Sequence, residues 1–166
     1  MMKIVFLDMD GTIADLKGSI YARGYSDKVI LEEEHFTRHM VNREYDNNLF
    51  LNLKPLPTQM YYQNYLDDKD RDYNIEFKVL SYVGDHGKQR MVIDEKRQWL
   101  KNYGMGDIEF IPIVESSSFK KFFSAPNTVL LDDSEHIVVA FNERHGTAHL
   151  IDDSIREVTS HGYQNF

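Results

Sequence analysis

Two acids spaced by two, Asp8 and Asp10, stand in the run Leu7-Asp8-Met9-Asp10-Gly11-Thr12, directly after an apolar stretch and just before a glycine. A carboxylate can attack an electrophile, carry a proton or hold a hard cation, so this pair offers a nucleophile and an acid/base within a few atoms of chain. Read alone, the same residues also make an ordinary surface turn. Two further apolar stretches end in polar groups: Phe77-Lys78-Val79-Leu80 runs into Ser81, and Val129-Leu130-Leu131 into Asp132-Asp133. A hydroxyl can hold a phosphate oxygen, and a pair of acids can anchor magnesium through oxygen ligands. Taken singly, Ser81 is a strand-end residue and Asp133 with Ser134 a helix cap. Taken together, three apolar stretches end in oxygen-bearing side chains suited to one cation and one phosphate.

The elements that must position these groups are short. Ile4–Leu7, Phe77–Leu80, Ile108–Val114 and Val129–Leu131 are near-continuous apolar runs, with a weaker one at Ala148–Ile151. Runs of this kind suit strands buried on both faces of a parallel sheet. Between them, Val92, Lys96, Trp99, Leu100 and Tyr103 follow a period near 3.6 and Gly104 supplies a stop, while a second helical pattern runs from Ser134 through Ile137, Val138 and Phe141 to Gly146. The alternation predicts a doubly wound, Rossmann-like α/β sheet of about five strands with helices on both faces. In such a sheet the ligand crevice lies at the carboxyl ends of the strands, where Asp8, Asp10, Ser81 and Asp132 fall.

Residues 16–72 break this rhythm, with a helical pattern around Val29, Phe36 and Met40, a Leu53-Lys54-Pro55-Leu56-Pro57 turn, and a helix carrying Met60, Tyr61 and Tyr65. The expected division is a catalytic core of residues 1–15 and 73–166 with a small helical cap, residues 16–72, inserted after the first strand. Glu32, Glu33 and Glu34 read as a solvated helix face, and the residues from about Ser160 as a fraying end.

With 166 residues, 42% of them hydrophobic, the chain has enough apolar material for one domain with a small insertion. The absence of cysteine removes disulfides, thiolate metal sites and cysteine nucleophiles. A formal charge of −8 without a segregated basic face argues against nucleic-acid polymers, though less against single nucleotides. No run of about 18 apolar residues and no signal-like start is found, so no membrane partner is expected and the protein reads as cytoplasmic.

The series Asp8-Met9-Asp10-Gly11-Thr12, strand-final Ser81, a lysine, then Asp132-Asp133 resembles the four motifs of the haloacid dehalogenase superfamily, and spans nearly the whole chain. Within it, Asp8 to Asp15, Phe50-Leu51-Asn52-Leu53-Lys54-Pro55-Leu56-Pro57 and Glu95-Lys96-Arg97-Gln98-Trp99-Leu100 resemble the 5'(3')-deoxyribonucleotidases and related phage and bacterial proteins. Thr12 stands where those enzymes commonly carry valine or leucine, and Ser134 where they often carry arginine. The resemblance implies a magnesium-dependent phosphatase acting on a small phosphorylated substrate, a nucleotide by the subfamily likeness. It implies Asp8 as nucleophile, Asp10 as acid and base, and magnesium held by Asp8, the backbone carbonyl of Asp10, Asp132 and Asp133. Ser81, one of Lys120 and Lys121, Lys96, Gly11 and Thr12 would contact phosphate; the segment after the lysine pair favours Lys120. Lys96 lies on the apolar stripe of its helix, and so either snorkels to solvent or points into a site. Phe36, Tyr45, Phe50 and Tyr61 are expected either to stack on a nucleobase under the cap or to belong to the core. A polynucleotide-end phosphatase and an idle phosphate-binding module are the alternatives.

Overall fold

The computed structural model describes residues 2–24, 48–68, 71–84 and 87–151. Strand β1 (Lys3–Leu7) is followed by helix α1 (Leu16–Ala22), helix α2 (Pro57–Asp67), β2 (Ile75–Tyr82), α3 (Gln89–Asn102), β3 (Glu109–Ile113), a 3₁₀ helix (Ser117–Phe123), β4 (Thr128–Asp132), α4 (Glu135–Asn142) and β5 (Thr147–Leu150). The five strands form one parallel sheet in the order β3-β2-β1-β4-β5. The order runs outward from β1 in one direction and then in the other, so a crevice opens between the carboxyl ends of β1 and β4. This is the predicted sheet, its two central strands buried on both faces.

Alternation along the strands divides the core in two. Val5, Leu7, Val79, Val129 and Leu131 face α2 and α3, packing with Tyr62, Val92, Trp99 and Leu100. Phe6, Leu80 and Leu130 face the other way, onto Ile137, Val138 and Phe141 of α4 and onto Phe123 at the end of the 3₁₀ helix. Helix α3 stops as the sequence indicates: Gly104 has φ 74°, the Met105 amide donates to the Leu100 carbonyl at 2.8 Å and that of Gly104 to Lys101 at 3.3 Å. That pair of bonds is a Schellman closure, which needs a residue at ease with positive φ. The second helical pattern is shorter than expected, since α4 ends at Asn142 and β5 starts at Thr147, directly after Gly146.

Of the expected insertion, the helix with Met60, Tyr61 and Tyr65 is α2, and it lies on the sheet: the rings of Tyr62 and Tyr65 each sit 5.0 Å from that of Phe77 on β2. Leu49, Phe50 and Leu53 belong to the same apolar cluster. The helical pattern around Val29, Phe36 and Met40, the three glutamates, Tyr45 and the residues from Ser160 lie outside the described residues. Among the described residues no helix is long and apolar enough to cross a membrane.

Candidate active site

Register brings the acids together before any side-chain contact is considered. Leu7 pairs with Leu131 on one side and Val79 on the other, so Asp8, Asp132 and Ser81 all fall at one edge of the sheet. Alternation then sorts them, with Asp8 and Asp132 following the parity of Phe6 and Leu130 and Ser81 that of Val79. Just beyond β1 the chain turns sharply: the amides of Thr12, Ile13 and Ala14 converge on the Met9 carbonyl at 3.3, 3.0 and 2.9 Å. Gly11 has φ 86°, and a Cβ there would lie 1.9 Å from Oδ2 of Asp133. The close approach of the first acid-bearing turn to the last acid pair therefore requires glycine.

Lys120, on the 3₁₀ helix, reaches the edge from the α4 side. Its Nζ donates to Asp8 Oδ1 and to Asp132 Oδ2, each at 2.7 Å, with all three groups buried. Asp132 Oδ1 accepts from the Ser134 amide at 2.9 Å, which ties this acid to the start of α4. Ser134 occupies the N-cap position but its side chain makes no cap bond. Burial pushes the Asp8 carboxyl from 3.8 up to about 6 and the negative neighbour Asp132 adds to the rise, against the lowering effect of Lys120. Burial alone would lower the Lys120 ammonium, yet Asp132 and Asp8 hold it above its ordinary value. Lys120 is thus a fixed cation.

Lys96 comes from the opposite face, on α3, and is fully buried. Its Nζ donates to Asp10 Oδ2 at 2.5 Å, Ser81 Oγ at 2.9 Å and the Tyr82 carbonyl at 2.9 Å. The Phe50 ring lies 4.7 Å away, as a lid on the ammonium. An ammonium has three hydrogens, and these partners take all of them. Phosphate contact by Lys96 would therefore require exchanging one of its acceptors. The Asp10 carboxyl is raised by burial, which outweighs the neighbouring Lys96. Its side chain stays 21% exposed, while its Oδ1 and the Thr12 hydroxyl are buried with no partner among the described residues.

Oxygens of Asp8, Asp132 and Asp133 all lie within 4.8 Å of one another, two of the acids buried and Asp133 exposed. Among the described residues Lys120 is the ammonium bonded to Asp8 and Asp132, and three clustered carboxylates outnumber it; an all-oxygen donor set suits magnesium. The side chain of Asp10, expected to contribute through its backbone, stands apart in the pair with Lys96.

Other expected positions differ. Lys121 does not enter the site: its amine lies 5.5 Å from the ring of Phe122, because adjacent residues on a tight helix point apart. Gly11 and Thr12 are expected among the phosphate contacts; their amides donate inside the turn, to Ala14 at 2.8 Å and to Met9 at 3.3 Å. Phe50 is only 2% exposed and packs in the core against Lys96, so it offers no open stacking face. Tyr61 lines a cavity of about 360 Å3 between α2 and the sheet, over Leu7 and Leu131. Sequence reasoning missed the acceptor role of the Tyr82 carbonyl, for which no side-chain signal exists. It also missed Glu95, although a charged residue beside Val92 and Trp99 on the helix stripe is the same signal that singled out Lys96.

No family model matches the chain, and no curated protein matches its sequence. Among solved structures it is similar to the L-2-haloacid dehalogenase of Xanthobacter autotrophicus, with a TM-score of 0.57 and 12% identity over 91% of this chain and 78% of that one. A form of that enzyme with chloropropionic acid covalently bound gives 0.55 and 10%, again over 91% and 78%. A haloacid dehalogenase-like family hydrolase of Streptococcus pneumoniae gives 0.56 and 11%, over 91% and 85%. At these identities the likeness is one of architecture: the chain shares the parallel, Rossmann-like α/β fold of these hydrolases.

Proposed function

We propose that the protein is a magnesium-dependent phosphomonoester hydrolase that works through an aspartyl-phosphate on Asp8, with deoxynucleoside monophosphates as substrates. The observation that carries this reading is the cluster of Asp8, Asp132 and Asp133 around one lysine at the carboxyl edge of the sheet. Phosphate monoesters hydrolyse very slowly in water, and speeding them needs an aligned nucleophile and neutralised charge. A magnesium ion among the three acids would supply positive charge that lets one anion approach another.

The chain's own groups account for the remaining steps. An Asp8 oxygen attacks phosphorus from the side opposite the ester oxygen, and the phosphorus–ester bond breaks. Asp10, whose proton affinity is raised by burial and whose Oδ1 has no partner among the described residues, gives its proton to the leaving oxygen. A water then attacks the phosphorus, Asp10 takes the water's proton, and the bond to Asp8 breaks to release phosphate. Lys120 spends two of its three hydrogens on Asp8 and Asp132, which leaves one for an equatorial phosphate oxygen. The Ser81 hydroxyl accepts from Lys96 and keeps its own hydrogen for another. In this reading the insertion of residues 16–72 would supply the small cap over the leaving group, with α2 the part of it that lies on the sheet.

The dehalogenase likeness raises a second reading, carboxylate attack on a carbon bearing halide. A halide leaves a neutral carbon without needing a clustered cation, so the three acids favour phosphate. Phosphate release from a panel of nucleoside monophosphates with magnesium tests the proposal, alongside end-labelled oligonucleotides and halide release from 2-haloacids. Turnover of monophosphates, lost by on the order of 10^4-fold in Asp8→Asn, supports it. No release from any monophosphate sinks it, and faster loss of label from oligonucleotide ends would move the assignment to polynucleotides.

A further inference from the structure

Helix α3 presents Glu95 and Trp99, one turn apart, to the loop of residues 48–56. Trp99 Nε1 donates to the Leu53 carbonyl at 2.8 Å, and the Phe50 amide donates to Glu95 Oε2 at 3.0 Å. The Leu51 amide bonds to the same carboxylate. Farther along, the loop is tied to the acid-bearing turn itself, with the Leu56 amide on the Ile13 carbonyl at 2.9 Å and the Asp15 amide on that of Lys54 at 2.8 Å. The Phe50 side of the loop carries the ring that covers Lys96, and Glu95 holds its backbone.

A half-buried carboxylate is an expensive choice for a helix stripe. Burial raises the Glu95 carboxyl above its usual range despite two amide donors. An apolar residue at this position would pack without that cost, but would leave two backbone amides unpaired. The carboxylate therefore serves the turn. The turn in turn places a phenyl face over the ammonium that grips Asp10, with Asn48 at φ 49° entering it in a conformation few residues favour.

We infer that Glu95 is a positioning residue: by holding the amides of Phe50 and Leu51 it keeps the Phe50 ring over Lys96, and so fixes the place from which Lys96 holds Asp10. The inference rests on the reading of Asp10 as acid and base. It acts on the chemical step rather than on substrate capture, because Glu95 is separated from the phosphate by Lys96 and Asp10.

The test compares Glu95→Ala, Glu95→Gln, Phe50→Leu and the double variant Glu95→Ala/Phe50→Leu in the full chain, with thermal melts to show that each is folded. Glu95→Ala is expected to lower kcat about tenfold with KM little changed, as for a small misplacement of a catalytic group. Glu95→Gln keeps an acceptor and recovers most of that loss, and the double variant is no worse than the poorer single one. A second arm needs no substrate: the Lys96 side-chain NMR signals carry the ring-current shift of Phe50 in the parent, lose it in Phe50→Leu, and lose it in Glu95→Ala. A parent-like kcat in Glu95→Ala, multiplicative losses in the double variant, or a Lys96 shift unchanged by Glu95→Ala would each overturn the inference. If the parent hydrolyses no monophosphate, the proposed function fails while the NMR arm still decides whether Glu95 places the ring.

Discussion

Lys120 and Lys96 are both buried ammonium groups at the carboxyl edge of one sheet, but they arrive from opposite faces and meet different company. Lys120 stands between two carboxylates with a third nearby, so its surroundings are short of positive charge. Lys96 meets one carboxylate, one hydroxyl and one carbonyl, and its hydrogens are all taken. The first arrangement asks for a further cation and still has a hydrogen to give. The second is complete, and suits holding one acid still. Two lysines that look alike in burial thus have different company, and under the proposed function one would neutralise the reacting centre and the other orient its proton carrier.

The sharpest way to break this comparison is Lys120→Met. It keeps most of the stem and leaves Asp8 and Asp132 facing each other without their shared partner. Removing one member of a buried ion pair costs about 3–5 kcal/mol, so urea denaturation without magnesium should show a loss of that order. Turnover should fall about 10^2- to 10^3-fold, as when a donor to developing charge is lost. Added magnesium should raise the Tm of this variant more than that of the parent, since Asp8 and Asp132 have lost the ammonium they share. Equal magnesium responses would mean that the acids do not share one ion.

Lys96→Met should cost less. Asp10 loses its anchor but stays near the reacting atoms, so kcat should fall about 10- to 10^2-fold with KM nearly unchanged. Its Tm should respond to magnesium as the parent's does. A magnesium response as large as that of Lys120→Met would erase the distinction between the two lysines.

How far the sequence carried this picture depends on the range of the forces involved. Asp8, Ser81 and Asp132 were legible because each ends a buried apolar run, and parallel pairing sets such ends side by side. Lys96 was legible as a charge on an apolar stripe. Choosing between Lys120 and Lys121 was not possible from spacing, because a short 3₁₀ helix with no periodic signal decides which amine turns inward. Phe50 was legible as a core candidate, but its place over Lys96 depends on Glu95, 45 residues away. The saturation of Lys96 depends in part on a backbone carbonyl, which no residue type announces. Local pattern supplied the strand ends, while contacts across long separations supplied the division of labour.

A smaller effect sharpens the role of the exposed member of the acid cluster. Asp133→Asn removes a charge that solvent already reaches, so stability should barely change. The magnesium concentration giving half-maximal activity should rise about tenfold, because cation affinity follows the number of charged ligands. No change in magnesium requirement would confine the ion to Asp8 and Asp132.

The effect on stability of losing the nucleophile's charge has an instructive sign. Burial, together with Asp132, raises the Asp8 carboxyl from 3.8 to about 6, so between those values the folded state holds a proton there that the unfolded state has already released. Stability from this group is complete below pH 3.8 and is lost as pH rises toward 6 and beyond. Asp8→Asn has no proton to lose. Without magnesium it should therefore be more stable than the parent at pH 7.5, by about 1–3 kcal/mol or several degrees in Tm, and the gap should close on acidification to pH 4. Magnesium at pH 7.5 should favour the parent again, because the ionised Asp8 then gains a partner that asparagine cannot match. If Asp8→Asn is instead the less stable protein at pH 7.5 without magnesium, Lys120 alone satisfies both buried acids, and the contrast with Lys96 loses its electrostatic basis.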